Sequence, residues 1–246
     1  MKHGLKPNAA QAKIYVAIDT HDLDQVLYLT RTLINTQTQG KIGLKLGMRF
    51  FYANGPKGVE AVKSVAGENT SIFLDLKFHD IPFTVAGAVE AVAPLDIDYI
   101  NVHATGGRAM MEAAAEAAAK FGRKAPDILA VTVLTSMDEA ALAELGVNEG
   151  PQSMVERLAK LAKDSGMKGV VCSAKEVESL RKSCGKDFIL MVPGIRPKGS
   201  AKDDQKRVMT PQEAIKVGAT HLVIGRPILK ADHPAQAALD ILKSCK

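Results

Sequence analysis

Short apolar runs alternate with longer segments of helical periodicity along the whole chain. The apolar runs predict β-strands at residues 15–19, 42–47, 71–78, 99–103, 128–135, 169–172, 188–192 and 221–225. The periodic segments predict helices at residues 23–34, 56–66, 82–93, 107–121, 152–165, 174–183, 211–217 and 234–243. Each predicted strand is followed by a helix, which implies parallel strands joined by crossover helices.

Eight such units in 246 residues match the size of a (β/α)8 TIM barrel. A doubly wound open sheet is the alternative, but its first turn often carries a G-x-G-x-x-G motif, whereas Asp19-Thr-His-Asp22 follows this first strand. We therefore predict an α/β fold in which residues 14–246 form a single barrel domain. Residues 1–13 are expected to form a flexible N-terminal extension.

Composition narrows the classes of partner. Aromatic residues make up 4% of the chain and Trp is absent, so a stacking surface for nucleic acid is not expected. The net charge of +5 is spread among acidic residues, which suits a solvated surface and some steering of an anionic substrate. Three cysteines without a C-x-x-C motif suggest neither a disulfide framework nor a zinc site. No signal peptide or membrane-spanning run is apparent, so we expect a cytoplasmic protein without a membrane partner.

The third predicted strand ends in charged residues, Asp75-Leu-Lys77-Phe-His-Asp80. Strand side chains alternate between faces, so Asp75 and Lys77 point the same way, about 7 Å apart. Desolvating opposite charges at the end of an apolar strand is costly, and a chain that needed only a core would place Val or Leu there. With Lys45 on the neighbouring strand, these residues would form a cluster of alternating charge. A protonated lysine in such a cluster can stabilise a carbanion and then protonate it.

Other unusual polar residues also lie at the C-terminal ends of the predicted strands, where barrel enzymes carry their active sites. Structural polar residues would have no reason to collect at one rim, so this pattern favours an enzyme. We assign no catalytic role to the histidine among them. The residues are Asp19, His103, Thr135, Ser136, Gly225 and Arg226.

A phosphate site is expected at Gly225-Arg226, because the loops after strands seven and eight of barrels often bind phosphate. Strand seven is followed by a long polar connection over residues 195–210, which is typical of a lid. Arg196 and Gln205 could reach the phosphate when this lid closes. Thr135 and Ser136 could bind a flat heterocycle, although a strand-ending turn explains them almost as well.

Several stretches together resemble the orotidine 5′-phosphate decarboxylase family, of the bacterial type. They are Phe73-Leu-Asp-Leu-Lys-Phe-His-Asp-Ile-Pro82, Val192-Pro-Gly-Ile-Arg-Pro197, Asp204-Gln-Lys-Arg207 and Ile224-Gly-Arg-Pro227, with looser matches at Lys45-Leu-Gly47 and Val133-Leu-Thr-Ser136. The resemblance implies a homodimer that uses no metal or cofactor. It would convert orotidine 5′-phosphate to UMP and carbon dioxide, the last step of de novo pyrimidine nucleotide synthesis.

The resemblance also implies roles for individual residues. Lys77 would protonate C6 of the pyrimidine, Asp75 would lie against the departing carboxylate, and Lys45 would complete the charge network. Asp80 and Thr84 would reach the ribose region of the partner subunit's site. Lys45 and Asp19 would contact the ribose, and Thr135 would bind the edge of the pyrimidine. The phosphate would be bound by Arg196, Gln205 and Arg226.

Phe83 departs from the pattern, because the family usually has Asn after Ile-Pro. At a helix start this change is expected to remove a cap that is worth about 1 kcal/mol. Two rival functions stay open. One is a metal-dependent sugar-phosphate decarboxylase or aldolase, although those enzymes need an acidic metal ligand where this chain has Lys45. The other is a non-catalytic barrel that binds nucleotides or RNA.

Overall fold

The computed structural model describes residues 13–35, 37–38, 40–197 and 209–245. Within them, eight parallel strands close into a barrel in the order of the sequence, which confirms the predicted fold. The strands are β1 (Lys13–Ile18), β2 (Ile42–Gly47), β3 (Ile72–Phe78), β4 (Tyr99–His103), β5 (Asp127–Val131), β6 (Gly169–Val171), β7 (Ile189–Pro193) and β8 (His221–Ile224). Residues 1–12, most of the predicted N-terminal extension, lie outside the described residues.

Helices cover the outside of the barrel. They are α1 (Leu23–Leu33), α2 (Met48–Ala66), α3 (Pro82–Val92), α4 (Gly107–Ala119), α5 (Glu139–Glu144), α6 (Pro151–Asp164), α7 (Val177–Cys184), α8 (Pro211–Lys216), α9 (Arg226–Leu229) and α10 (Pro234–Ser244). None of these helices is long and apolar enough to cross a membrane.

Beyond shifts of one or two residues at helix ends, the helices differ from the predictions in three respects. Helix α2 begins at Met48 rather than near residue 56, and a break at Gly55, with a φ of 59°, precedes Pro56. The predicted helix over residues 174–183 is a 3₁₀ turn at Ala174–Glu176 followed by α7. The short helices α5 and α9 were not predicted, because four to six residues are too few to show a helical period.

Alternate residues along each strand belong to two different hydrophobic cores, one outside and one inside the barrel. In β1, Ile14, Val16 and Ile18 pack against the surrounding helices, whereas Tyr15 joins a second cluster inside the barrel. In β3, Phe73 belongs to the inner cluster in the same way. This alternation follows from the period of two in a strand. Odd-numbered residues of β1 to β4 therefore point inward, including the polar ones near the C-terminal ends.

The inner cluster forms the floor beneath those polar residues. The Tyr15 ring packs edge-on against Phe73 and Tyr99, with ring centroids 6.3 and 5.8 Å apart. Its hydroxyl lies 2.7 Å from the Ser71 hydroxyl, so the buried phenol is hydrogen-bonded. A Cβ atom at Gly43 would lie 2.5 Å from Cε1 of Tyr15. The tyrosine ring therefore fills space that only a glycine leaves open.

Candidate active site

A cavity of about 720 Å³ opens at the C-terminal ends of the strands. Its volume is in the range of small-molecule sites, and its position is where barrel enzymes carry their active sites. The residues predicted from the sequence that line it are Asp19, Lys45, Asp75, Lys77, Thr135, Arg196, Gly225 and Arg226. The structure therefore brings most of the predicted site residues together around one space.

Asp75 lies between two lysines at the bottom of this cavity. Its Oδ2 accepts a hydrogen bond from Lys45 Nζ at 2.9 Å, and its Oδ1 accepts one from Lys77 Nζ at 2.7 Å. Strands β2 and β3 are neighbours, with Gly47 paired to Asp75, which places Lys45 and Asp75 on adjacent inward positions. Asp75 is 8% exposed as a whole residue, so both ion pairs are shielded from bulk water.

Lys45, Asp75 and Lys77 form a charge triad whose members hold one another in place. Burial alone would raise the pKa of Asp75, but the neighbouring ammonium groups of Lys45 and Lys77 outweigh it and hold this pKa well below the usual range. Asp75 is therefore ionised at neutral pH. The arrangement keeps two cations and one anion fixed beside the cavity without a substrate to organise them.

Asn101 is a site residue that the sequence reasoning missed. It is fully buried in β4, and its Nδ2 donates a hydrogen bond to Asp75 Oδ1 at 2.7 Å. Its Oδ1 accepts a hydrogen bond from the backbone N–H of Lys77 at 2.7 Å. The signal was the parity of β4, since Asn101 lies two residues from both Tyr99 and His103 and so points into the barrel with them.

Lys77 has an unusual backbone conformation. Its φ is 52°, in the left-handed region, which costs a residue with a Cβ about 1–2 kcal/mol. The conformation coincides with an irregularity in the β3–β4 pairing between Leu74 and Phe78. Backbone strain of this kind collects at functional sites, where the surrounding structure holds it in place.

His103 ends β4, as predicted, and is half-buried. Its ring centroid lies 5.3 Å from that of His79. Burial is the main cause that lowers the pKa of His103, and electrostatic interactions with His79 and Lys77 lower it further. His103 is therefore neutral at pH 7, which agrees with assigning it no part in the charge network.

Asp80 and Thr84 are exposed and do not reach the cavity of their own chain. Asp80 Oδ1 accepts a hydrogen bond from the backbone N–H of Ile81 at 2.7 Å, and this carboxylate pairs with neither Lys45 nor Lys77. Within one chain, the predicted cluster of four charges is thus a cluster of three. Asp80 follows β3 and precedes α3, so its side chain lies outside the inward positions of the strand.

The expected loss of a cap at Phe83 was wrong. Helix α3 has Ile81 as its N-cap residue and Pro82 in its first turn, so Phe83 occupies a position inside the helix. Its side chain is 87% exposed, and that of Ile81 is 64% exposed. Two large apolar side chains are therefore exposed in the same segment as Asp80 and Thr84.

The opposite side of the cavity carries two guanidinium groups. Arg196 is 8% exposed and Arg226 is half-buried, and both line the cavity together with Gly225. Gly225 lies directly after β8 and is the N-cap residue of α9, which begins at Arg226. The Gly225-Arg226 segment therefore starts at the end of a barrel strand, and the positive charge of Arg226 suits an anion such as phosphate.

The long connection after β7 is closed at its base. Ile195 and Met209 form a parallel bridge, and the Arg196 N–H donates to the Met209 carbonyl oxygen at 3.0 Å. Residues 198–208, which include Gln205, lie outside the described residues, as does most of the predicted lid. The bridge fixes where this segment leaves the barrel and returns to it, beside Arg196.

Thr135 lines the cavity, but not as the end of a strand. Strand β5 ends at Val131, so Thr135 and Ser136 lie in the loop before α5, and the predicted strand over residues 128–135 was too long. The cause is the apolar run that continues through Val133 and Leu134 beyond the last paired residue. Thr135 is half-buried at the rim, and Ser136 is exposed.

No group of three or more His, Cys, Asp or Glu side chains that could hold a metal ion occurs among the described residues. Cys172 lines the cavity, but burial raises its thiol pKa well above the usual value. This cysteine is therefore a neutral thiol at neutral pH.

Comparisons with known proteins agree with the geometry. The family model described as "Orotidine 5′-phosphate decarboxylase / HUMPS family" matches residues 12–241. An orotidine 5′-phosphate decarboxylase of Rhodospirillum rubrum is 52% identical over 232 residues, 93% of this chain and 92% of that protein. One of Chromohalobacter salexigens is 49% identical over 228 residues, 93% of both chains. The crystal structure of orotidine 5′-phosphate decarboxylase from Lactobacillus acidophilus superposes with a TM-score of 0.84 at 34% identity, and covers 96% of this chain and all of that one.

Proposed function

The chain belongs to the orotidine 5′-phosphate decarboxylase / HUMPS family, and from this premise we propose that it converts orotidine 5′-phosphate to UMP and carbon dioxide. Relatives that match nearly its whole length bear the name of that enzyme, so the protein is a carboxy-lyase. The observation that carries the proposal is the Lys45–Asp75–Lys77 triad at the bottom of a cavity with two arginines opposite.

The triad suits a reaction that leaves negative charge on carbon. The bond between C6 and the carboxylate carbon breaks, carbon dioxide departs, and the electron pair stays on C6. The Lys77 ammonium stabilises this carbanion and then gives it a proton, so that a C6–H bond forms and a neutral amine remains. Solvent returns the proton to Lys77 after the product leaves.

Asp75 and Lys45 set the charge around the reacting atoms. Asp75 accepts hydrogen bonds from both lysines, which holds the Lys77 ammonium in place beside the cavity. In the proposed complex the substrate carboxylate lies next to Asp75, and the repulsion between the two is relieved as carbon dioxide forms. Lys45 balances the negative charge of Asp75 and contacts the ribose.

The remaining residues of the cavity bind the parts of the substrate that do not react. Asp19 contacts the ribose, and Thr135 binds the edge of the pyrimidine. The phosphate is bound by Arg196 and Arg226, by the backbone at Gly225, and by Gln205 as the loop closes. Because these contacts lie far from C6, their binding energy can position the pyrimidine against the triad.

We further propose a homodimer in which each subunit completes the other's site. Asp80 and Thr84 lie outside the cavity of their own chain, and the exposed side chains of Ile81 and Phe83 beside them are suited to burial in a subunit interface. Asp80 would approach the ribose in the partner's cavity and add a second carboxylate to the charge cluster there.

The reaction is tested by the loss of absorbance as orotidine 5′-phosphate becomes UMP. We expect turnover that persists in EDTA and is lost in Lys77→Ala, with UMP binding retained. Lys182→Ala is the control, since Lys182 is an exposed, ion-paired lysine on α7. Turnover that stops in EDTA and returns with magnesium would favour a metal-dependent relative. Full turnover by Lys77→Ala would refute the role of this lysine.

The shared site is tested by mixing two inactive variants, Lys77→Ala and Asp80→Ala. A hybrid dimer would contain one cavity with both native residues, so mixing is expected to restore part of the activity. Exchange of subunits is verified with differently tagged chains. If exchange occurs and activity does not return, Asp80 acts in its own subunit or has no role.

A further inference from the structure

We propose that Asn101 is a positioning residue that holds Asp75 and the backbone of Lys77 in the geometry the reaction needs. The inference rests on the proposed decarboxylation and adds a residue to it. Asn101 is not among the described residues that line the cavity. Its effect on the reaction therefore passes through Asp75 and Lys77.

The need for such a residue arises from the pairing of β3 with β4. Leu74 is opposite Ile100, and the next paired residues are Phe78 and Val102. Three residues of β3, from Asp75 to Lys77, therefore stand opposite Asn101 alone. The β3 segment has two more residues than the β4 segment opposite it, so its backbone groups cannot all pair with β4. This part of β3 therefore bulges away from the hydrogen-bonded ladder.

The Asn101 side chain takes the place of the missing ladder bonds. Its Oδ1 accepts from the Lys77 N–H, and its Nδ2 donates to Asp75 Oδ1, both at 2.7 Å. A backbone N–H can only donate, so the amide oxygen must face Lys77 and the amide NH₂ must face Asp75. One planar group thus fixes the strained backbone at Lys77 and the orientation of the carboxylate.

The geometry requires an amide at this position. An aspartate would still accept from Lys77 N–H, but would direct a second carboxylate oxygen at Asp75. A serine could keep one bond at most, because its hydroxyl is too short to span both groups. Since Asp75 Oδ1 also accepts from Lys77 Nζ, a turn of the carboxylate would displace the proton donor as well.

The test compares kcat with the affinity for UMP in Asn101→Ser and Asn101→Asp. We expect kcat to fall about 100-fold in the serine variant, the cost of a displacement near 1 Å in a reacting group, and further in the aspartate variant. UMP affinity should stay at the wild-type value, because Asn101 contacts none of the proposed binding residues. Asn35→Ala is the control for loss of a structural asparagine, since Asn35 caps a turn before β2, at the other end of the barrel.

A merely structural role predicts another pattern. In that case kcat, UMP affinity and thermal stability would decline together, or kcat would stay at the wild-type value in a folded serine variant. Either result would overturn the inference.

A second readout does not depend on turnover. The carboxyl ¹³C resonance of Asp75 should titrate at higher pH in Asn101→Ala, because the amide donor to the carboxylate is lost and alanine offers no replacement. The groups that face this carboxylate are Lys45, Lys77 and His103, and all are retained in the variant. An unchanged titration would refute the positioning role, whereas a wild-type protein without turnover would refute the proposed reaction instead.

Discussion

Replacing Asp75 by Asn should change how the stability of the protein depends on pH. The folded protein holds the pKa of Asp75 well below the usual range, whereas an aspartate in the unfolded chain titrates near about 3.9. The stability that ionised Asp75 contributes is therefore complete above about pH 5, and it declines as the pH falls below the unfolded-state pKa. Asparagine keeps the shape of the aspartate side chain but does not titrate, so it adds no dependence of stability on pH.

The magnitude follows from proton binding to the unfolded chain. The folded carboxylate stays ionised at pH 3, while the unfolded one is mostly protonated there. Integrated from pH 5 to pH 3, this difference removes about 1.2 kcal/mol of the contribution from Asp75. The free-energy gap between wild type and Asp75→Asn should therefore shrink by that amount, since all other carboxylates are shared by the two proteins.

The assay is urea unfolding of both proteins at pH 5, 4 and 3, with the free energy extrapolated to water. Asp232→Asn, which changes an exposed carboxylate, serves as the matched control and should keep a nearly constant gap to the wild type. A constant gap for Asp75→Asn between pH 5 and pH 3 would refute the reasoning. It would mean that Lys45 and Lys77 do not lower the pKa of this carboxylate.

Three further predictions concern other parts of the molecule. Arg226→Ala should raise KM and lower kcat/KM about 10- to 100-fold, because a charged contact to the phosphate is lost. Arg123→Ala, on the outer surface, is the control and should change neither constant. An unchanged KM in Arg226→Ala would contradict the phosphate role. Gly169→Ala should destabilise the fold by about 1–3 kcal/mol in urea unfolding, because its Cβ would lie 2.3 Å from the Ile189 carbonyl oxygen. A stability equal to wild type would show that the strands separate easily there. Phe83→Ser should weaken the proposed dimer by about 2 kcal/mol for each ring that the interface buries, measured as the dimer dissociation constant in sedimentation equilibrium. An unchanged dissociation constant would place this ring outside the interface.

The barrel could be predicted from the sequence because its signal repeats. Each strand is a short apolar run, each helix follows it, and the ends of β2 and β4 were predicted to the residue. Parallel strands then bring their C-terminal ends to one rim. The grouping of Lys45, Asp75 and Lys77 could be expected for the same reason, since it needs only strand order and parity.

Features that depend on irregular backbone could not be predicted in this way. The bulge in β3 and the positive φ of Lys77 arise where two strands fall out of register, which a pattern of apolar residues does not record. Asn101 looks like an ordinary strand residue until its two partners are brought to it by that bulge. The end of β5 was misplaced because apolar residues continue past the last hydrogen-bonded pair.

The contact between Gly43 and Tyr15 has a consequence for how this sequence can evolve. A side chain at residue 43 would clash with the tyrosine ring and also with the Ser71 carbonyl oxygen, which would lie 2.8 Å from its Cβ. A smaller residue 15 alone would therefore not admit a larger residue 43, and Gly43 is constrained by the backbone just before β3 as well as by Tyr15. Because Gly43 and Lys45 are successive inward positions of β2, drift at this pair would also disturb the charge triad above it. Selection on the chemistry therefore extends to two residues that touch no substrate.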